Sequence, residues 1–160
     1  QHPHLIMANN KIAFFPGSFD PFTKGHQDIV LRALPLFDEI VIGIGQNSNK
    51  ARYFSLDKMK GYIEQTFKGK PVRVVTYQDL TANVAKEVGA KFIIRGLRNT
   101  TDFEYENSIS QVNRHINPEL ETVFLITSPH LAPISSTIIR DLHRYGSKID
   151  DYLPYDLNGI

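Results

Sequence analysis

Apolar and polar positions along this chain keep two alternating rhythms. Unbroken apolar runs, Ile12-Ala13-Phe14-Phe15 first and Glu39-Ile-Val-Ile-Gly-Ile-Gly45 second, predict strands buried on both faces. Val72–Tyr77, Ala90–Arg95 and Thr122–Thr127 continue the series. Pro16-Gly17 should stop the first strand, because proline has no N–H for a ladder. Gly96 should end the fourth. Between these runs apolar residues recur at helical spacing. Ile29, Val30, Ala33, Leu34 and Phe37 share a face of a helix that opens at His26, and Pro35 should end it near Ala33 or Leu34. Ser55 caps a second helix, whose buried side carries Leu56, Met59, Ile63 and Phe67. Thr81–Val88 is a third helix, closed by Gly89. A longer one runs from about Asp102 to Pro118. Tyr105, Ile109, Val112 and Ile116 share one of its faces and are expected in the core or at a subunit contact. Asp102, Glu106, Asn113 and Asn117 share the adjacent polar face. Ile134 opens a helix running to Gly146, and a short last helix is expected near Pro154.

Strand and helix thus alternate five times, without repeats or linkers. That order predicts an α/β fold: a Rossmann-like, doubly wound, five-stranded parallel sheet with helices on both faces. Residues 7–160 are expected to form a single domain, with residues 1–6 a tag remnant or disordered N-terminus ahead of Met7. In such sheets ligands sit at the carboxyl ends of the strands. Residues with chemistry should therefore cluster just after each strand.

Composition narrows the picture. The 160 residues carry 18 Lys and Arg against 17 Asp and Glu, a formal charge of +1. That balance argues against a nucleic-acid coat but leaves room for a local basic site. The chain has 0 cysteines, which excludes disulfides, thiol catalysis and zinc–thiolate sites. Its apolar runs fall short of the ~20 residues of a membrane span, and it opens without a signal-peptide pattern. A cytoplasmic protein is the expectation.

The strand ends do carry the chemistry. Ser18, Thr23, Gly25 and His26 follow the first strand, and Lys50 the second. Asp79, Leu80, Thr81 and Asn83 follow the third. Arg95, Gly96 and Arg98 close the fourth, and Ser128, His130, Ser135, Ser136 and Thr137 follow the fifth. Cations, hydroxyls and helix N-termini on one sheet edge suit a polyphosphate. The first junction lacks the GxxxxGK[ST] spacing of a P-loop and the GxGxxG of a dinucleotide site.

Thr23-Lys24-Gly25-His26 instead resembles the (H/T)xGH signature of the nucleotidylyltransferase superfamily. Ile94-Arg-Gly-Leu-Arg98, Asp102-Phe-Glu-Tyr-Glu106, Asn113-Arg-His115, Asp79-Leu-Thr-Ala-Asn83 and Ile134-Ser-Ser-Thr137 are together similar to the phosphopantetheine adenylyltransferase family. The resemblance runs from Lys11 to about Pro154. It implies transfer of the adenylyl group of ATP to 4′-phosphopantetheine, with pyrophosphate leaving. On the same ground, His26, Lys50 and Arg95 would be catalytic. His26 would stabilise the α-phosphorus transition state, while Lys50 and Arg95 would hold the acceptor phosphate. Ser18, Phe19, Gly96, Leu97, Arg98 and Glu106 would contact ATP, as would Leu131, Ala132, Pro133, Ile134, Ser135, Ser136 and Thr137. Ser18, Leu80, Thr81 and Asn113 would line the acceptor. Thr81 replaces a larger apolar residue of the family, and Leu131 with Pro133 a more aromatic segment.

A phosphate nucleophile is already an anion, so the reaction needs no general base; it needs two polyanions brought together. Mg²⁺ would arrive on the ATP phosphates, with no protein metal site expected. The resemblance also implies a homo-oligomer, a hexamer, and feedback binding of coenzyme A. One rival is an adenylyltransferase acting on nicotinamide mononucleotide; Ile134–Arg140 is compatible with it, but the RGLR and DFEYE segments point away. The other is a non-catalytic nucleotide-binding module, which would predict loss of His26, Lys50 or Arg95.

Overall fold

The computed structural model describes residues 10–46 and 49–158. The expectation for residues 1–6, and the tip of the loop after the second strand, lie outside these. Five parallel strands form one sheet in the order β3-β2-β1-β4-β5. They are β1 (Ile12–Gly17), β2 (Glu39–Gly45), β3 (Val72–Tyr77), β4 (Phe92–Leu97) and β5 (Glu121–Ile126). The α-helices are α1 (Lys24–Ala33), α2 (Leu56–Thr66), α3 (Thr81–Glu87), α4 (Thr100–Ile116) and α5 (Ser136–Arg144). From β1 the chain builds outward through β2 to β3, then returns to place β4 on the other side of β1. The switch point therefore lies between β1 and β4, where a ligand crevice is expected.

Alternation along the central strands divides the core. Ala13 and Phe15 of β1, with Ile40, Ile42 and Ile44 of β2, pack against Ile29, Val30 and Ala33 of α1 and Met59, Tyr62 and Ile63 of α2. Phe14 and Val41 point the other way, onto Ala82, Val84 and Ala85 of α3. Ile139 of α5 packs with Ile149 and Leu153 in a smaller cluster against Phe54 and Tyr155. Among the described residues no helix is long and apolar enough to cross a membrane.

Several expected boundaries move. β1 runs on through Pro16 and Gly17, which pair with Gly43 and Ile44. Proline is tolerated there because the β1–β4 ladder has already stopped at Phe14–Ile93, and the Pro16 carbonyl accepts instead from Arg95 Nη1 at 2.6 Å. β4 likewise extends through Gly96 to Leu97, in register with Leu125 and Ile126. α1 begins at Lys24, since Thr23 is its N-cap. The last turn is a 3₁₀ helix at Asp150–Tyr152, before Pro154 and not after it. Beyond it side chains hold the tail: Tyr155 stacks on Tyr62 at 4.6 Å and donates to the Phe22 carbonyl at 2.7 Å.

On α4 the structure removes one of the two places expected for its apolar face. Tyr105 and Val112 are 66% and 57% exposed, and Ile109 and Ile116 are also exposed, so none of these belongs to the core of the chain. The buried residues of this helix are Glu106 and Asn113, each 8% exposed. α4 turns its polar stripe inward because Arg95, at the end of β4, supplies a partner for Glu106.

Candidate active site

A cavity of about 370 Å³ opens over the carboxyl ends of β1 and β4, between the N-termini of α1 and α5. Thr23 starts α1 with a capping box. Its Oγ1 accepts from the amides of Gly25 and His26, so this hydroxyl serves the cap. The Thr23 amide in turn donates to His26 Nδ1 at 2.9 Å. An amide can only donate, so Nδ1 is unprotonated and the neutral ring carries its proton on Nε2. Phe15, Phe19 and Phe22 surround the imidazole, with ring centroids 5.0 to 6.3 Å away. This burial, helped by the charges of Arg95 and Arg98, pulls its pKa down to about 3. His26 is thus a neutral hydrogen-bond donor on the cavity wall. Gly25 is beside it; a Cβ there would meet Thr23 Oγ1 at 3.3 Å, so a side chain would crowd the cap.

Arg95 ends β4 between two polar partners. Its Nε and Nη2 donate to the two carboxylate oxygens of Glu106, each at 2.7 Å. Glu106 is therefore occupied with Arg95. Asp102 plays the same part for Arg98, accepting from its amide at 2.9 Å and its Nε at 3.1 Å. Asp102 and Glu106 line the cavity with their arginines, so neither offers an uncommitted carboxylate to a metal. Among the described residues no cluster of metal-ligating side chains exists. On the opposite wall Ser135 caps α5, accepting from the Ile138 amide at 3.2 Å, and Ser136 Oγ donates to the Pro21 carbonyl at 2.8 Å.

A second cavity, about 300 Å³, shares Pro16, Gly17, Ser18, Arg95 and Glu106 with the first. Tyr77, Thr81, Ile93, Tyr105, Ile109 and Asn113 line it too, with Gly45, Gln46, Ser110 and Thr122.

The predicted residues divide accordingly. Ser18, Phe19, His26, Arg95, Gly96, Arg98, Glu106, Leu131, Ile134, Ser135, Ser136 and Thr137 meet around the first cavity. Ser18, Thr81, Arg95 and Asn113 meet around the second. Leu97 is buried, while Leu80, Lys50 and Pro133 are exposed; these, with Ala132, line neither cavity. The strand-end pattern missed Tyr77 and Asp20. Tyr77 lies inside β3, where alternation marks it only as a strand residue. Asp20 had a signal in its Asp-Pro turn: its carboxylate accepts from the amides of Tyr53 and Phe54, both at 2.8 Å.

Residues 14–142 match the cytidylyltransferase-like family. The chain is 60% identical to the phosphopantetheine adenylyltransferase of Cytophaga hutchinsonii, over 92% of this chain and 99% of that one. The chain belongs to the phosphopantetheine adenylyltransferase family. It is also 52% identical to the corresponding protein of Flavobacterium johnsoniae, over 89% of this chain and 93% of the other. A bifunctional nicotinamide mononucleotide adenylyltransferase/ADP-ribose pyrophosphatase from Francisella tularensis superposes with a TM-score of 0.68 at 20% identity, covering 92% of this chain and 45% of that larger one. At that identity the likeness shows a shared fold.

Proposed function

We propose that this enzyme transfers the adenylyl group of ATP to 4′-phosphopantetheine, giving dephospho-coenzyme A and pyrophosphate. The observation that carries this reading is the pair of cavities meeting at one wall, Pro16–Ser18 with Arg95 and Glu106. The first suits a polyphosphate, with His26, Arg98 and the starts of α1 and α5 around it. The second, partly apolar, suits a longer uncharged arm. ATP in one and the acceptor in the other would place the acceptor phosphate beside the α-phosphorus.

In the reaction an acceptor phosphate oxygen forms a bond to the α-phosphorus as the bond to the bridging oxygen breaks, and pyrophosphate leaves with that electron pair. The chain supplies position and charge. His26 Nε2–H would donate to an α-phosphate oxygen as negative charge builds there. Arg95, held by Glu106, would fix the acceptor phosphate. Arg98, held by Asp102, and the hydroxyls of Ser135 and Thr137 would engage the β- and γ-phosphates, with Ser136 at the same helix start, its hydroxyl given to the Pro21 carbonyl. Lys50 keeps its proposed place at the acceptor phosphate on the family resemblance alone. Mg²⁺ would enter as part of the ATP substrate, offsetting phosphate charge, since the carboxylates at the cavity are committed to arginines.

The exposed stripe of Tyr105, Ile109, Val112 and Ile116 supports the homo-oligomer reading, a hexamer by family resemblance, because an apolar helix face of this extent suits a neighbouring copy. A cytoplasmic location and feedback binding of coenzyme A belong to the same proposal. Pyrophosphate release from ATP should require phosphopantetheine. Release driven by nicotinamide mononucleotide but not by phosphopantetheine would overturn the assignment.

A further inference from the structure

Arg52 lines neither cavity, yet it joins the loop after β2 to the loop after β1. Its Nε donates to the Phe54 carbonyl at 3.1 Å, its Nη1 to the Ser18 carbonyl, and its Nη2 to the Phe19 carbonyl at 2.8 Å. Asp20 lies 3.6 Å from Nη2 and balances the charge. Arg140 Nη1 donates to the Asp20 carbonyl at 2.7 Å, which brings α5 into the same knot. Between these grips Phe19 has a φ of 44°, a left-handed conformation that phenylalanine rarely adopts.

The peptide bonds Ser18–Phe19 and Phe19–Asp20 are trans, since the cis bond of this loop is Asp20–Pro21. A trans peptide holds its carbonyl and its N–H antiparallel. The Ser18 carbonyl shares a plane with the Phe19 amide, and the Phe19 carbonyl shares one with the Asp20 amide. Arg52 engages both carbonyls and itself lines neither cavity, while Ser18 and Phe19 line the first. Each amide then points opposite to its carbonyl, away from the Arg52 fork. We infer that Arg52 is a positioning residue for the nucleotide: by holding the Ser18 and Phe19 carbonyls it aims the Phe19 amide at a phosphate oxygen of ATP. Its own charge is balanced by Asp20 and does not reach the ligand. The useful property is the planar fork, which engages two adjacent carbonyls at once; a lysine ammonium keeps the charge without that geometry.

The inference rests on the first cavity being the ATP site, and the test separates the two. Arg52→Lys, Arg52→Gln and His26→Ala are made in the full chain, with kinetics in both substrates and thermal unfolding. Arg52→Lys should keep the unfolding temperature near the parent's while lowering kcat/KM for ATP by about tenfold or more, with KM for phosphopantetheine unchanged. Arg52→Gln should lose ATP efficiency at least as far. An Arg52→Lys protein with parental kcat/KM for ATP overturns the inference, as does a variant that loses only stability. If His26→Ala also keeps parental turnover, the ATP-site reading itself falls. If His26→Ala collapses and Arg52→Lys does not, only the role of Arg52 falls.

Discussion

The two cavities share a wall but are built on opposite principles. Around the first, polar groups are set by partners within the chain. The Thr23 amide fixes the tautomer of His26, Asp102 holds Arg98, Ser136 donates to the Pro21 carbonyl, and Arg52 and Arg140 grip the Ser18–Asp20 backbone. Around the second, Ile93, Tyr105 and Ile109 supply shape, and the polar contribution beyond the shared wall comes from Gln46, Tyr77, Thr81, Ser110, Asn113 and Thr122. The difference follows from the chemistry each would do. Stabilising charge in a transition state requires dipoles that are already aimed, because reorienting them at the moment of reaction raises the barrier. Holding an uncharged arm requires mostly contact area.

The hardest test of that contrast is His26→Ala. It removes the aimed donor from the first cavity and leaves the second intact. We expect kcat to fall by about 10²- to 10³-fold, with KM for phosphopantetheine nearly unchanged. Steady-state kinetics in both substrates checks this, and an equal rise in both KM values would erase the contrast.

The shared wall should behave differently from either side. Arg95→Ala leaves Glu106, 8% exposed, without the partner that engages both its oxygens. Breaking such a pair should cost about 2–4 kcal/mol of stability, measurable by urea unfolding. Kinetically it should raise KM for both substrates. A variant impaired toward one substrate alone would show that the cavities are separate sites.

These contrasts also explain what was legible in the sequence. A buried strand declares itself as an apolar run, so β2 falls where the pattern places it, and the β-branched stretch of the half-exposed β3 does the same. Ser18, His26, Arg95 and Ser135–Thr137 were legible because parallel topology sends residues after each strand to one edge. On α4 the choice between core and subunit contact was not legible, because amphipathicity identifies two faces without saying which is inside. That choice belongs to Arg95, whose demand for Glu106 turns the polar stripe inward. Arg52 was invisible for a related reason. It acts on backbone carbonyls of another loop, 33 and 34 residues away in sequence, and such contacts leave no local pattern.

The acid limb of stability gives an effect confined to the first cavity and to pH below neutral. The pKa of His26 falls from an ordinary 6.5 to about 3 in the folded protein. Between those values the unfolded chain binds a proton that the native chain does not. Stability from this group is therefore complete above pH 6.5 and is lost as pH falls toward 3, with a slope of at most about 1.4 kcal/mol per pH unit. Urea unfolding across that window should show a shallower slope in His26→Gln. The rate around neutral pH should carry no inflection from His26.

The smallest effect should come from the second cavity, where the tyrosine hydroxyl tests whether shape alone decides. Tyr77 lies across β2 where Gly43 and Gly45 make room: a Cβ at these positions would sit 3.0 and 3.4 Å from its ring. Its ring also meets Phe14, with centroids 5.6 Å apart, so its direction is fixed by packing. The hydroxyl reaches Thr81 Oγ1 at 3.3 Å, and burial raises its pKa, which keeps it protonated at neutral pH. The pair is thus a weak internal hydrogen bond at the cavity wall, available to be exchanged for one to an amide of the acceptor arm. Tyr77→Phe removes a single oxygen and keeps the ring. If the exchange occurs, KM for phosphopantetheine should rise about threefold, with kcat and KM for ATP unchanged, as expected for one neutral hydrogen bond. Thr81→Val should match it, and the double variant should add little, because the two hydroxyls act together. An unchanged KM in both single variants would mean that the arm is held by Ile93, Ile109 and Tyr105 through shape alone. A rise in KM for ATP by the same factor would instead place the tyrosine's influence on the shared wall, through Arg95.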